Sequence, residues 1–271
     1  MSWRPPAGVL AELVAAARED CAARRLERPS LENDVLRRPP SARAFLRGFL
    51  RTLRERRRGF PLICEVKRAS PSAGAIRAET DAAAQARIYA SAGATCVSVL
   101  TEGRRFAGSL ADLQAVRAAV EVPLLRKDFI VEPYMIAEAA EAGADAVLLI
   151  AGALEPASLR ELAQCAEAFG LDALIEVVHE HELEALERIE APLVGINARD
   201  LETLEMDPER FGRLAPRLAA PGRVLVAESG IRTPWDVARF AACGAGAALV
   251  GEALMRAADP VALVRSLGEA S

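Results

Sequence analysis

The chain changes character in the stretch Phe60-Pro-Leu-Ile-Cys64-Glu65-Val-Lys67-Arg-Ala-Ser70-Pro-Ser72, where an apolar run passes directly into charged and small polar residues. Glu65 and Lys67 are two positions apart, so on a strand their side chains point to the same side. At the end of a buried strand such a pair is costly unless each charge has a partner. The pair therefore marks either a functional site or a structural ion pair, and the stretch alone leaves both open.

From this stretch onward, apolar strand-like runs alternate with helix-like segments. Eight strands are predicted, at residues 62–67, 96–100, 124–127, 146–150, 173–177, 193–197, 224–227 and 247–250. Eight amphipathic helices are predicted after them, at residues 82–91, 110–119, 134–142, 159–169, 180–189, 208–218, 235–242 and 261–267. Gly93, Gly143 and Gly244 are expected to end helices in a left-handed conformation. Eight strands that are each followed by a helix predict an α/β fold, the (β/α)8 TIM barrel.

The first 58 residues lie outside this alternation and are predicted to form an N-terminal helical extension, whereas residues 59–271 form the barrel. One helix is predicted at residues 9–25 and a second at residues 42–57, with Ser41 as its N-cap. The extension is too small for a core of its own, so we expect it to pack on the barrel within one structural domain. It either shields the active-site mouth or only clamps the barrel. The apolar stripe that would face the barrel consists of Val9, Leu10, Leu13, Val14 and Ala17.

The overall composition is that of a soluble globular protein, with 52% apolar and 27% charged residues. No apolar run approaches the roughly 18 residues that span a bilayer, and the N-terminus lacks a signal-peptide pattern, so we expect a cytoplasmic protein without a membrane partner. A formal net charge of -4 argues against a nucleic-acid partner. Arg47, Arg51 and Arg54 share a helical face, which is either a solvated stripe or a surface for a phosphate-rich partner. The five cysteines are far apart, which predicts reduced packing residues and neither a disulfide framework nor a zinc site.

Ionisable residues collect at the carboxyl ends of the predicted strands, where barrels of this kind build their active sites. One buried charge could be accidental, but five strands that end this way favour a site over salt bridges that only line the mouth. These residues are Glu65 and Lys67 on the first strand, Lys127 and Asp128 on the third, Glu176 on the fifth, Asn197 and Arg199 on the sixth, and Glu228 and Ser229 on the seventh.

The loops after the last two predicted strands carry glycines, in Glu228-Ser229-Gly230-Ile231 and in Gly251-Glu252-Ala253-Leu254-Met255. Glycine lets backbone N–H groups approach a ligand closely, and N–H groups at the start of a helix favour an anion. These loops are also the usual phosphate site of such barrels. We therefore expect a small phosphorylated substrate, although many barrel families share the feature and it selects no reaction.

Six motifs carry a resemblance that covers essentially the whole chain. They are residues 65–72, Leu125-Arg-Lys127-Asp128-Phe129, Ile175-Glu176-Val177, Gly195-Ile-Asn197-Ala-Arg199-Asp200-Leu201, Ala227-Glu228-Ser229-Gly230-Ile231 and Val250-Gly251-Glu252-Ala253-Leu254-Met255. Together they resemble the indole-3-glycerol phosphate synthase family, whose members also carry extra helices before the first strand. The resemblance implies a carboxy-lyase of tryptophan biosynthesis. It would close the pyrrole ring of 1-(2-carboxyphenylamino)-1-deoxyribulose 5-phosphate with loss of carbon dioxide and water.

The resemblance also implies roles for individual residues. Lys127 matches the family's general acid, Glu176 its general base, and Lys67 a second acid and electrostatic anchor. Glu65 and Asn197 would hold Lys67 and the substrate hydroxyls. Substrate binding would involve Ser70, Phe129, Arg199 and Glu228, with Arg199 and Ser70 facing the anthranilate carboxylate, and phosphate binding would involve Ser229, Gly230, Gly251 and Glu252. No step requires a cofactor or a metal, and a monomer or weak homodimer is expected.

Two other classes of protein compete with this interpretation. Another phosphate-binding barrel enzyme, such as phosphoribosylanthranilate isomerase, would share the last two loops but not the first motif. A non-catalytic barrel that binds a phosphorylated ligand would be expected to lack at least one of Lys67, Lys127 and Glu176, and all three are present. Ala73 and Arg105 depart from what is common in the family and bear on loop closure or substrate affinity.

Overall fold

The computed structural model describes residues 3–37, 48–56, 58–187 and 189–270, and in it eight parallel strands close into a barrel. The strands are β1 (Leu62–Val66), β2 (Cys96–Leu100), β3 (Leu124–Lys127), β4 (Ala146–Ile150), β5 (Asp172–Val177), β6 (Leu193–Asn197), β7 (Val224–Glu228) and β8 (Ala247–Val250). Each bound lies within one residue of its predicted position. The (β/α)8 fold class is confirmed.

Every strand pairs with its neighbours in sequence, and β1 closes the barrel by pairing with β8. In the register of that closure, Leu62 lies opposite Ala248, while Ile63 lies opposite Cys96 on β2. Nearly all strand residues are buried, because one face fills the barrel interior and the other packs against helices. This two-sided burial explains why the strands appear in the sequence as continuous apolar runs.

The helices form the outer layer and follow the strands in alternation. Around the barrel they are α4 (Ala82–Ala92), α5 (Leu110–Ala119), α6 (Pro133–Glu141), α7 (Pro156–Ala168), α8 (Leu183–Leu186), α9 (Arg210–Leu218), α10 (Pro234–Ala242), α11 (Glu252–Arg256) and α12 (Pro260–Glu269). Gly93, Gly143 and Gly244 have φ angles of 104°, 85° and 95°, which confirms their predicted left-handed conformation. The sequence did not predict α11 or the small hairpin that pairs Ala69–Ser70 with Gly74–Ala75.

The helix predicted at residues 180–189 is shorter and less regular in the structure. The structure has a single 3-10 turn at Glu180–Glu182, and α8 contains only four residues. Glu182 caps the start of this segment, where its buried carboxylate accepts hydrogen bonds from the N–H groups of Val178 at 2.6 Å and His179 at 3.2 Å. This is the capping-box arrangement, which satisfies backbone donors at the start of a helical segment.

The N-terminal extension begins with α1 (Gly8–Glu27) and continues with α2 (Leu31–Leu36) and α3 (Phe49–Glu55). Four members of the predicted stripe, Leu10, Leu13, Val14 and Ala17, are buried against the barrel, and Val9 is half-buried. The N–H of Val9 also donates to the carbonyl of Glu202, so α1 starts beside the loop after β6. Ser41, Arg47 and the start of the helix predicted at 42–57 lie outside the described residues. The domain boundary at residue 58 remains a prediction.

All five cysteines are free thiols, as the sequence indicated. Cys21, Cys64 and Cys96 are buried packing residues, and burial raises the pKa of the Cys64 thiol to about 12. Cys243 is exposed, so the packing role predicted for it is wrong. Within the described ranges, none of the helices combines the length and apolar character that a membrane crossing needs.

Candidate active site

A cavity of about 150 Å³ opens at the carboxyl end of the barrel strands. All the site residues predicted from the sequence line it, together with Asp128. They are Glu65, Lys67, Ser70, Lys127, Phe129, Glu176, Asn197, Arg199, Glu228, Ser229, Gly230, Gly251 and Glu252. The structure therefore brings the whole predicted set together, while the role of each residue remains a prediction.

Lys127, the last residue of β3, sits between two buried carboxylates. Its Nζ lies 3.0 Å from Oε2 of Glu176 on β5 and 3.3 Å from Oε2 of Glu228 on β7. Burial by itself would lower the pKa of Lys127, but Glu176, Glu228 and Glu65 together raise it above its ordinary value. The ammonium form is therefore present throughout the neutral pH range, as a proton donor requires.

The two carboxylates around Lys127 differ in protonation. Burial alone would raise the pKa of Glu176, but Lys127 and the amide of Asn197, which donates to Glu176 at 3.2 Å, hold that pKa below its ordinary value. Burial raises the pKa of Glu228, and the nearby charge of Glu176 adds to the effect. The arrangement thus favours one ionised and one neutral carboxyl group beside one lysine. Glu176 is the basic member, which suits the role predicted for it.

Lys67 and Glu65 form the pair that the first motif predicted. The Lys67 Nζ lies 2.9 Å from Oε1 of Glu65, at the point where β1 ends. The Glu65 carboxylate fills space beside β8, and a Cβ added at Gly251 would overlap its Oε1 atom. Gly251 has a φ of -121°, which other residues also adopt, so glycine is needed there for space. This reason differs from the close phosphate approach expected from the sequence, which remains a proposal.

Asn197 connects the carboxyl ends of β5, β6 and β7. Its side-chain oxygen accepts hydrogen bonds from the Ser229 hydroxyl at 2.7 Å and from the N–H of Arg199 at 3.0 Å. Its amide nitrogen donates to Glu176, so the three strand ends are fixed relative to one another. Ser229 has a φ of 66°, an unusual conformation for a residue with a side chain, and the turn continues through Gly230 at 79°.

The expected phosphate side of the cavity contains a carboxylate as well as glycines. Glu252 is the first residue of α11, and its side chain forms an ion pair with Arg256 at 3.1 Å. The Ser229 hydroxyl already donates to Asn197, which leaves the backbone as the main source of donors from these loops. Arg232 also lines the cavity, although the sequence motifs did not predict it as a site residue. Its position two residues after Gly230 was a signal that a basic side chain lies beside the expected phosphate loop.

The remaining wall of the cavity is mostly apolar. Phe129 packs against Phe106 with ring centroids 6.1 Å apart, and both residues line the cavity. Val9 and Leu13 of α1 also line it, so the N-terminal extension forms part of the mouth. The sequence left this contribution open as one of two alternatives, because nothing local in α1 indicates which end of the barrel it covers.

Polar groups border this wall. The Arg199 guanidinium donates to the carbonyl of Leu204 at 3.1 Å, and the Ser70 hydroxyl accepts from the N–H of Ala73 at 3.2 Å. Across the described ranges, no group of three or more His, Cys, Asp or Glu side chains is arranged to hold a metal ion.

The fold and the cavity define the class of (β/α)8 barrels in which ionisable side chains line a cavity at the carboxyl ends of the strands. The family profile described as Indole-3-glycerol phosphate synthase matches residues 10–267. Among similar proteins, one of that name from Nocardioides sp. is 56% identical over 209 residues, which cover 77% of this chain and 80% of the relative. Another of that name, from Mycobacterium avium, is 46% identical over 97% of this chain and 94% of the relative. The chain belongs to the indole-3-glycerol phosphate synthase family.

Solved structures of lower sequence similarity share the fold alone. The 3-hexulose-6-phosphate synthase from Salmonella typhimurium aligns with a TM-score of 0.62 at 13% identity, over 78% of this chain and 98% of that chain. A porous protein cage designed by fusing symmetric oligomeric domains aligns with a TM-score of 0.58 at 14% identity, over 78% of this chain and 72% of that chain.

Proposed function

We propose that the protein is a carboxy-lyase that converts 1-(2-carboxyphenylamino)-1-deoxyribulose 5-phosphate into indole-3-glycerol phosphate, carbon dioxide and water. The observation that carries the proposal is the placement of Lys127 3.0 Å from Glu176, with Lys67 lining the same cavity. Two lysines and an ionised carboxylate supply the two acids and the base that ring closure and dehydration need.

In the first step, the ring carbon that bears the carboxylate attacks the ketone carbon of the substrate. Lys127 donates a proton to the ketone oxygen, which becomes a hydroxyl group as the new carbon–carbon bond forms. Departure of carbon dioxide returns its bonding electrons to the ring and restores aromaticity. The raised pKa of Lys127 keeps the ammonium form available for this donation at neutral pH.

Dehydration completes the pyrrole ring. Glu176 removes a proton while the hydroxyl group leaves as water with a proton from Lys67, so one proton is taken and one is given. The low pKa of Glu176 keeps it ionised, and Asn197 fixes its orientation. Glu65 holds Lys67 on the substrate side of β1 through the ion pair at 2.9 Å.

The substrate's two anionic groups would lie at opposite sides of the cavity. Backbone N–H groups around Gly230 and Gly251 would bind the phosphate, and Arg199 with Ser70 would face the anthranilate carboxylate. We further propose that the protein acts in the cytoplasm as a monomer or weak homodimer, with no cofactor and no nucleic-acid or membrane partner. The net charge of -4 supports the absence of a nucleic-acid partner.

The direct test is incubation of the purified protein with the carboxyphenylamino substrate while indole fluorescence is followed. A rise in indole fluorescence with one equivalent of carbon dioxide per product is expected. A parallel reaction with phosphoribosylanthranilate tests the isomerase alternative. Turnover of that compound with none of the carboxyphenylamino substrate would overturn the proposal, and turnover of neither would favour a non-catalytic barrel.

A further inference from the structure

A buried network of charges lies on the outer side of β3, behind the catalytic cavity. Its centre is Arg126, whose side chain is 1% exposed although it carries a full charge. The guanidinium donates to the carboxylate of Asp128 at 2.9 Å, the hydroxyl of Thr101 at 3.0 Å and the carbonyl of Met135 at 2.6 Å. It also lies 3.3 Å from the carboxylate of Glu138 on α6. Of these partners, Asp128 also lines the cavity that holds Glu176.

The network fixes the backbone on both sides of Lys127. Arg126 and Asp128 flank Lys127, and strand alternation turns their side chains outward while Lys127 points into the barrel. Asp128 also accepts a hydrogen bond from the N–H of Phe129 at 2.8 Å, which sets the start of the loop after β3. The carbonyl of Lys127 itself accepts from the N–H of Thr101 at 3.1 Å.

The same network reaches the N-terminal extension. Arg24 of α1 donates to both carboxylate oxygens of Glu138, at 2.5 and 3.0 Å. The hydroxyl of Tyr134 donates to the carbonyl of Arg24 at 3.0 Å, so α1 is also tied to α6 through its backbone. The four charged groups are Arg24, Arg126, Asp128 and Glu138, and their charges sum to zero.

We propose that Arg126 is a positioning residue that sets the location of Lys127 relative to Glu176 and couples it to α1. The inference rests on the proposed role of Lys127 as proton donor. Apolar side chains could fill the same volume at lower desolvation cost, so packing alone does not explain the three buried charges of Arg126, Asp128 and Glu138. A guanidinium with several partners in fixed directions defines one arrangement of the surrounding backbone, which an apolar side chain cannot do.

The amino end of β3 provides a matched control. There the buried Arg117 pairs with Asp145 at 2.9 Å, and Asp145 accepts from the N–H of Leu124, the first residue of the same strand. Both arginines are buried, but only Arg126 is a direct neighbour of Lys127 in the chain. Replacing either by methionine leaves a buried aspartate without its arginine, so comparable losses of stability are expected.

The experiment compares kcat and KM of the unaltered protein, Arg126→Met and Arg117→Met at a temperature where all three are folded. Arg126→Met is expected to lower kcat by about tenfold or more, since a misplacement near 1 Å can cost on the order of a hundredfold in rate. Its KM is expected to stay within about threefold, because Arg126 does not touch the substrate. Arg117→Met is expected to retain kcat, and Arg126→Lys to retain more kcat than Arg126→Met because the charge remains.

Retention of kcat in Arg126→Met, or an equal loss of kcat in Arg117→Met, would overturn the inference. If Arg126→Met does not fold, Glu138→Gln replaces it with the same expectations, because the amide keeps the shape, removes a charge opposite Arg126 and lies outside the cavity lining. Lack of turnover by the unaltered protein would instead refute the proposed function, so the two failures are distinguishable.

Discussion

The two ends of the barrel use buried polar side chains in different ways. At the amino end, these side chains satisfy the backbone where a strand begins. Asp145 accepts a hydrogen bond from the N–H of Leu124 at 2.8 Å, and the Thr95 hydroxyl accepts from the N–H of Leu62 at 3.1 Å. Each such contact removes an unpaired backbone donor from the protein interior, so the amino end contributes to stability.

At the carboxyl end, charged side chains inside the barrel face one another across a cavity. Lys127 lies between Glu176 and Glu228, and its Nζ is 3.3 Å from the nearer carboxyl oxygen of Glu228. Burial under these conditions raises the pKa of Glu228 and costs folding free energy. Buried polar side chains therefore stabilise the amino end of the barrel. At the carboxyl end, buried charged groups lower the stability and lie where barrels of this kind carry out chemistry.

Among variants at the two ends of the barrel, Lys127→Ala is expected to have the largest effect. We expect turnover to fall by on the order of 10²–10⁴ because the proposed general acid is lost. Inhibition by inorganic phosphate should persist, since the expected phosphate loops are untouched. Thr95→Ala, at the amino end, should lower the melting temperature without changing kcat. A loss of turnover below about tenfold in Lys127→Ala would mean that another group supplies the proton.

Glu176→Gln should separate the two chemical steps. Glutamine keeps the shape of the side chain and loses its basicity, so dehydration should slow by roughly a hundredfold. Single-turnover measurements of carbon dioxide and indole fluorescence are expected to show carbon dioxide appearing first. Indole formation at the unaltered rate would remove Glu176 from the role of base.

Gly251→Ala and Gly170→Ala compare two reasons for a glycine. At Gly251, at the carboxyl end of the barrel, the reason is limited space, and at Gly170, at the amino end, it is the left-handed backbone. The added Cβ would overlap the Glu65 carboxylate, so we expect kcat/KM to fall by about tenfold as the Glu65–Lys67 pair shifts. Gly170→Ala is the control, because Gly170 has open space around it but a φ of 76°. That variant should lose roughly 1–2 kcal/mol of stability and keep its activity. Equal kcat/KM in both variants would contradict the steric argument.

Glu182→Gln tests the cost of a buried carboxyl group near the mouth. Burial raises the pKa of Glu182 from 4.5 to about 7, so the folded protein binds this proton more tightly than the unfolded chain. The associated stability is complete below pH 4.5 and is lost as the pH rises through 7. Urea unfolding should therefore show the variant gaining at most about 3 kcal/mol relative to the unaltered protein between pH 4 and 8. A difference independent of pH would exclude this titration.

The smallest effect is expected at the exposed contact between α1 and the loop after β2. Arg105 forms an ion pair with Glu12 at 2.8 Å, and both side chains are more than half exposed. Arg105→Ala should therefore change stability by no more than about 1 kcal/mol, with a difference that shrinks at high salt. KM should change by less than about twofold. A larger rise in KM, measured at low and high salt, would show that this pair helps to close the mouth.

Local patterns in the sequence were sufficient to determine the order and bounds of the barrel strands. Parallel strands buried on both faces produce apolar runs of four to six residues, as in Ala146–Ile150, and glycines such as Gly93 mark where helices end. The Glu65–Lys67 pair was also predictable, because its members are two residues apart on one strand. Information of this kind lies within a few neighbouring residues.

Contacts between charges that are distant in the sequence depend on the folded barrel. Glu228 is 101 positions from Lys127 and Arg24 is 114 from Glu138, and no local pattern links either pair. No local pattern indicates, either, that a side chain at position 195 in place of Gly195 would overlap the carboxylate of Glu228. Closure of the barrel brings all strand ends to one mouth, and α1 then covers part of it. The electrostatic partners of Lys127 are therefore set by the geometry of the closed sheet.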